Sequence, residues 1–310
     1  MNSLYIVAVE PNSLQAYREL YDQCIAPDLY SAPWWLDAAC GSGGWNAWIH
    51  YDTPGAPAMA LPYCTQRIRG MSALITPPFT QWVSLIKRTG WEEALPKDLM
   101  SCLPVTSIRD LSIKPDALIL SGLRTSFTLK YSYIIPAATA VDPKQNRYNE
   151  GLKRNIRQAQ QDYRLRNSAD IEQFLGLCRL SYKAQSLQPP QWLEHVVPAV
   201  LRELWPRKSG EITVAESGGN VIAAILTGWD QGTSYYLAGG RIPDDRGASA
   251  HALLLDQAIR MAGEHGRAFD FEGSMQAGIA NFFQSFGAIP SAYWNFRAYR
   301  GMGRLWALLK

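Results

Sequence analysis

The chain lacks any long apolar run. Its longest uniformly apolar stretch is Val221–Leu226 (VIAAIL), far short of the roughly 20 residues that a spanning helix needs, so no transmembrane segment is expected. Met1–Leu14 shows no basic region followed by a long apolar one, so no signal peptide is expected either. Cysteine is scarce: Cys24, Cys40, Cys64, Cys102 and Cys178 are odd in number and include no CxxC pair. That argues against a disulfide framework or zinc knuckle and points to a reduced, cytoplasmic protein. The four histidines, His50, His195, His251 and His265, are scattered and form no HExxH, so no metal site is read from them. Strong net charge is missing too, with 30 Lys+Arg against 27 Asp+Glu for a net +3. What remains is a globular composition, 47% hydrophobic and 18% charged over 310 residues. That length suits roughly two domains.

The charge is unevenly placed. Within residues 144–166 stand Lys144, Arg147, Lys153, Arg154, Arg157, Arg164 and Arg166, opposed only by Glu150 and Asp162. Tyr148, Leu152, Ile156, Ala159 and Tyr163 recur there at spacings of four and three, which predicts an amphipathic helix that Asn149 can cap. Lys153 and Arg157 share a face beside the apolar stripe, and Arg154 points elsewhere. Two readings stand: a solvated basic face, or a clamp for an anionic group such as phosphate, which suits the planar fork of arginine. A duplex-binding surface fits less well, because the chain is near neutral overall.

Residues 136–146 (PAATAVDPKQN) read as a linker, placing one domain at 1–142 and a second at 143–310. Before it, helices are expected at 14–25 and 31–39, and strands at 45–50, 58–63, 117–121 and 126–135. Pro62 limits the second of these strands to a sheet edge. After the linker, the basic helix is followed by helices at 171–187 and 190–204. Strands at 211–216, 221–229 and 233–238 come next, then a glycine-bearing loop at 239–247 and a helix at 248–263. A strand at 267–271, a helix at 278–286, a strand at 293–299 and a short helix near 305–309 complete the order. Meandering strands followed by alternating helices give an α+β sheet.

Three groups of residues can carry chemistry. The loop Gly239–Gly247 leads into a helix, and the N–H groups of Arg246, Gly247, Ala248 and Ser249 can cradle phosphate or pyrophosphate; an ordinary turn is the alternative. It is neither a P-loop nor a GxGxxG fingerprint. In Phe269-Asp270-Phe271-Glu272-Gly273-Ser274, Asp270 and Glu272 share one side of a strand. A partly buried carboxylate there can act as general base; the competing reading is a helix cap or an arginine partner. Ser274 can cap the next helix but sits in no GxSxG elbow. Cys178, in FLGLCRL, reads as core. Tyr235 and Phe283 are the aromatic candidates for lining a cleft, within a sequence whose paired aromatics are otherwise expected to pack.

Together these segments resemble the Fem-type transferases and related members of the GNAT acyltransferase superfamily (FemAB-like, CelD-like acetyltransferase domains). YNEGLKRNIRQAQ (148–160) resembles their basic-helix signature, FDFEGSMQAGIANFFQSFGA (269–288) their strand–helix signature and SYYLAGG (234–240) their central strand. PWWLDAA (33–39) and PPFTQW (77–82) resemble motifs of their N-terminal half. The resemblance implies two tandem GNAT-like (acyl-CoA N-acyltransferase) domains, each a mixed, mostly antiparallel sheet flanked by helices. It implies transfer of an acetyl or aminoacyl group to an amine of a cell-envelope or polysaccharide precursor. Lys153, Arg154 and Arg157 then face an anionic substrate group, and Asp270, Glu272 and Ser274 line the cleft, with Glu272 as base. No cofactor is held permanently; the donor is acyl-CoA or aminoacyl-tRNA, and tRNA is the less favoured partner. Arg246-Gly247-Ala248-Ser249-Ala250 meets the coenzyme A loop pattern [QR]xxGx[GA] only loosely, and the coiled-coil arm of some Fem proteins has no counterpart. A non-catalytic module binding a nucleotide-sugar or polysaccharide is the remaining alternative.

Overall fold

The computed structural model describes residues 13–24, 27–91, 99–114, 126–137, 148–273 and 275–308. By internal contact the chain forms two units, Met1–Lys130 with Ala292–Lys310, and Tyr131–Ser291. The expected division after Asp142, most of its linker and the expected strand at 117–121 fall outside the described residues.

The first unit starts with α1 (Ser13–Asp22), which buries Ala16, Tyr17 and Leu20. A short 3-10 turn (Leu29–Ser31) follows, capped by the Asp28 side chain. Helix α2 (Pro33–Cys40) has Pro33 at its first position, where the missing N–H costs nothing. The sheet comprises β1 (Trp45–Thr53), β2 (Ala56–Ile68), β3 (Met71–Ile75), a two-residue β4 (Ile86–Lys87) and, after α3 (Leu99–Cys102), β5 (Ile108–Ile113). β2 is not an edge strand: it pairs with β1 on one side and with β3 and β4 on the other. Its proline is tolerated because β4 meets Met59–Ala60 and β3 begins at Cys64, so Pro62 falls in the gap between them.

The second unit takes up β6 (Ser126–Ile135) from Tyr131 onward. Then come α4 (Glu150–Asp162), β7 (Arg164–Ser168), α5 (Ile171–Ala184), α6 (Gln191–Arg207), β8 (Gly210–Ser217), β9 (Asn220–Trp229) and β10 (Thr233–Arg241). Next are α7 (Asp245–Glu264), β11 (Ala268–Asp270) and α8 (Ala277–Ser285). The strand order is β6-β11-β10-β9-β8-β7. All pairs are antiparallel except β10 with β11. The short polar β7 (RLRNS) has no apolar alternation and was invisible to pattern reading; it is held by its ladder to β8 and by Arg166 on Glu216. β12 (Ile289–Tyr299) pairs with β5 over Trp294–Tyr299, and α9 (Met302–Leu308) ends the described chain.

Two adjacent glycines show how the layers close on β10. A Cβ on Gly240 would lie 2.2 Å from Cys178 N and from Leu177 C of α5. A Cβ on Gly239 would lie 2.5 Å from the Tyr236 hydroxyl and 3.1 Å from His251 Nε2. Neighbouring strand residues face opposite sides, so α5 covers one face of the sheet and α7 the other. Both glycines belong to the strand, and the expected loop shortens to Ile242–Asp244. On the α7 face, Leu152, Ile156, Ala159, Leu253, Leu254, Phe269, Phe271 and Phe283 form a continuous apolar core.

Candidate active site

β10 and β11 run parallel for only three pairs, Thr233↔Ala268 to Tyr235↔Asp270. β11 then ends while β10 continues to Arg241. Beyond Tyr235, no strand pairs with that edge of β10 among the described residues. On the opposite edge, the register with β9 shifts between Tyr236 and Ala238, a bulge that re-aims the side chains around it. The strand therefore presents backbone N–H and C=O groups where the two strands part.

At that parting stands Glu272. Its φ is 58°, a left-handed conformation that costs an ordinary residue about 1 kcal/mol. Asp270 holds it there: its Oδ1 accepts the Glu272 N–H at 2.8 Å and also the Ser132 hydroxyl. Asp270 is fully buried, so this carboxylate acts as a fixed internal acceptor that positions its neighbour. Glu272 keeps some exposed surface, yet its carboxyl oxygen Oε1 is buried and, among the described residues, has no hydrogen-bond partner. Burial without compensation pushes the Glu272 carboxyl well above the usual carboxylate range.

Aromatic rings wall this position. Phe271 stacks on Phe283 at 4.7 Å and tilts against Phe286 at 5.4 Å. Tyr133 and Tyr236 approach Phe283 at 6.0 and 6.4 Å, and Phe282 meets His251 at 6.4 Å. Phe283, a cleft candidate from sequence, lies at the centre of these ring contacts and is buried in the apolar core. Tyr235 is not part of it: it is buried, and its hydroxyl donates to Asp230 Oδ2 at 2.8 Å. The adjacent Tyr236 takes the place by the wall, its hydroxyl 3.1 Å from His251 Nε2. Burial, with Arg241 nearby, pushes the His251 imidazole down to about 4, so the ring is neutral at ordinary pH. Burial also raises the Tyr236 phenol. Sequence reading passed over His251 because only the packing of α7 on β10 brings it to Tyr236.

The start of α7 gathers Arg246, Gly247, Ala248 and Ser249 as expected, but the position an anion would take is filled. Asp244 accepts the Gly247 N–H at 2.9 Å, and Arg246 Nε and Nη2 reach the same carboxylate at 3.1 and 2.9 Å. These bonds hold Asp244 below the usual carboxylate range, the Gly247 N–H first among them. A Cβ on Gly247 would lie 2.1 Å from Ile242 O, so its backbone is tightly enclosed. Tyr163 donates to Arg246 O at 3.2 Å, and the Ser249 hydroxyl donates to the same carbonyl at 3.0 Å.

Helix α4 forms as expected, with the Asn149 side chain accepting the Leu152 N–H at 2.7 Å. Its stripe packs along α7, and its first turn sits on the end of α8. There Asn149 N donates to Ser285 O at 2.9 Å, and Tyr148 meets Phe286 edge-on at 5.2 Å. Lys153 is tied to Glu150 at 2.8 Å. Arg154 and Arg157 are exposed, and among the described residues neither has a carboxylate within ion-pair distance. Ser274 lies outside the described residues. Cys178 is buried as expected, and burial pushes its thiol up to about 12.

Residues 146–282 match the family model described as the acetyltransferase (GNAT) domain. Among solved structures, FemX has a TM-score of 0.66 at 11% identity, covering 95% of this chain and 98% of that one. The C-terminal domain of a putative lysylphosphatidylglycerol synthetase from Agrobacterium fabrum has a TM-score of 0.58 at 10% identity, covering 96% and 95%. L-PGS from Bacillus licheniformis has a TM-score of 0.54 at 14% identity, covering 94% and 92%. At such identities the likeness is one of fold. No curated protein sequence matches the chain.

Proposed function

From the match of residues 146–282 to the acetyltransferase (GNAT) domain model and the fold shared with FemX, we propose that the chain transfers an acyl or aminoacyl group to an amine of a cell-envelope or polysaccharide precursor. The observation that carries this reading is the buried, unpartnered Oε1 of Glu272 at the parting of β10 and β11. A carboxylate with a raised pKa and a free oxygen is a stronger base than an ordinary carboxylate. The amine nitrogen attacks the donor carbonyl, and its proton passes to Glu272 directly or through water. Backbone N–H groups of β10 beyond Tyr235, where no strand pairs with that edge among the described residues, can face the developing oxyanion. The Tyr236 hydroxyl, backed by neutral His251, is the candidate donor of a proton to the leaving group. Arg154 and Arg157, with Lys153, bind an anionic group of the acceptor.

One feature favours an aminoacyl ester over acyl-CoA as donor. GNAT domains use acyl-CoA as co-substrate, and a helix start is where its pyrophosphate would find N–H donors; here Asp244 occupies that position with its own negative charge. The name of one structural neighbour, the C-terminal domain of a putative lysylphosphatidylglycerol synthetase, agrees with aminoacyl transfer.

A donor screen on the full chain tests the function. Turnover with an acyl-CoA or a charged tRNA, abolished in Glu272→Gln, is the expected result. A Glu272→Gln variant that keeps its rate and its pH profile with a donor that turns over removes the base. A ligand-induced rise in Tm without turnover of any donor would instead indicate a binding module.

A further inference from the structure

The three most exposed large apolar side chains among the described residues lie at one end of the first unit: Met302 at 71%, Val105 at 67% and Leu305 at 65%. Backbone contacts tie their segments together. The Arg300 N–H donates to Ser107 O at 2.9 Å, and a Cβ on Gly303 would lie 2.2 Å from that same carbonyl. α9 therefore sits directly on the 105–108 segment. In turn, Ser107 N donates to Ser72 Oγ at 3.2 Å, and Ser72 lies opposite Arg67 in the β2–β3 ladder.

The same end is cationic. Arg67, Arg69, Arg300 and Arg304 are all exposed. Arg67 Nη1 donates to Gly70 O at 3.1 Å and Arg304 Nε to Tyr299 O at 3.3 Å, both backbone carbonyls. Among the described residues none of the four has a carboxylate within ion-pair distance. Arg69 is carried outward by the Arg69-Gly70 turn, whose φ values are 50° and 80°. A fifth guanidinium, Arg109, lies beneath, bonded to the carbonyls of Leu103 and Pro104.

We propose that this end of the first unit docks on an anionic lipid surface. Exposed apolar side chains on a short helix, flanked by arginines without counter-charges, fit the boundary between headgroups and acyl chains. The guanidiniums meet lipid phosphates while their stems and the three apolar side chains enter the interface. A nucleic acid would use the arginines and leave Met302, Val105 and Leu305 in water. An ordinary protein partner would not require four unopposed positive charges. The association is peripheral, in keeping with the absence, among the described residues, of a helix long and apolar enough to cross a membrane. The inference does not depend on the proposed acyl transfer.

Co-sedimentation of the full chain with vesicles tests it. Binding is expected to vesicles of phosphatidylcholine mixed with phosphatidylserine and not to phosphatidylcholine alone, and it should weaken as salt rises and the Debye length shrinks. Each lost arginine should lower the partition coefficient about fivefold, so the double variant Arg300→Glu, Arg304→Glu should fall at least about 25-fold. Met302→Ser with Leu305→Ser should weaken binding to the same anionic vesicles about tenfold through lost apolar burial. All four positions are exposed, so unchanged thermal melts should accompany these losses. Arg154→Glu with Arg157→Glu, in the other unit, should leave vesicle binding within twofold. The proposal is overturned if the wild type does not sediment, or if the serine pair binds as well as wild type. It is equally overturned if the α4 pair weakens binding as much as the α9 pair, or if RNA rather than vesicles is bound with the same dependence on Arg300 and Arg304.

Discussion

Glu272 combines a left-handed backbone, a buried carboxyl oxygen and, among the described residues, no partner for that oxygen. Each feature costs stability, and such costs concentrate where chemistry is done. If Glu272 is the base, replacing it with Gln should lower kcat by about 10²- to 10⁴-fold and erase the rising limb of the pH–rate profile. The same change should stabilise the protein, because an amide removes the burial of an ionisable group. The sign follows from linkage. A carboxyl with a raised folded pKa binds its proton more tightly when folded, so stability falls as pH rises above the unfolded value of about 4.3. Urea unfolding at pH 5 and pH 8 should show the Gln variant gaining most at the higher pH. A variant less stable at both would mean that Glu272 has a bonding role which its unpartnered oxygen does not reveal.

His251 titrates in the opposite sense. Its imidazole is pushed from 6.5 down to about 4 by burial first and by Arg241 second. The unfolded chain then binds the proton more tightly, so the stability His251 contributes is complete above about pH 6.5. It is lost as pH falls toward about 4, to a total of about 3 kcal/mol. His251→Asn should flatten that part of the stability–pH curve. If Tyr236 and His251 act as a pair on the leaving group, Tyr236→Phe should lower kcat while leaving acceptor KM near the wild-type value.

At the scale of elements, glycine decides how closely layers approach. Gly240→Ala places a Cβ 2.2 Å from the backbone of α5, where a helix must move rather than a flexible side chain. A loss of at least 2 kcal/mol is expected from overpacking of about this severity, with a matching fall in the urea midpoint. Helix α4 offers a functional test instead. Its buried stripe fixes the helix on α7, leaving Arg154 and Arg157 free in water. Arg157→Ala should raise acceptor KM several-fold with little effect on kcat or Tm, and the loss should shrink at high salt. An unchanged KM for every anionic acceptor would leave α4 as a solvated face.

For the whole molecule, two charge features have different origins. The cationic stretch at 144–166 was legible in sequence, since seven basic residues stand within one short window. The cationic end of the first unit was not. Arg67 and Arg69 stand more than 200 residues before Arg300 and Arg304, and the two pairs meet only because α9 folds onto the segment before β5.

The sequence by itself determined the α+β class, nearly every helix of the second unit and the amphipathic stripe of α4. These follow from local periodicity and capping, and each can be read in a window of some ten to twenty residues. It also brought Glu272 and Phe283 forward as candidates, because they lie in one contiguous segment. Tertiary structure alone decided that Tyr236 rather than Tyr235 stands by the aromatic wall, because a bulge in β10 sets which ring faces α7. Only packing joined His251 to that tyrosine, and only folding made Asp244 fill the start of α7. Such placements depend on contacts between residues distant along the chain, where neither spacing nor hydropathy carries a signal.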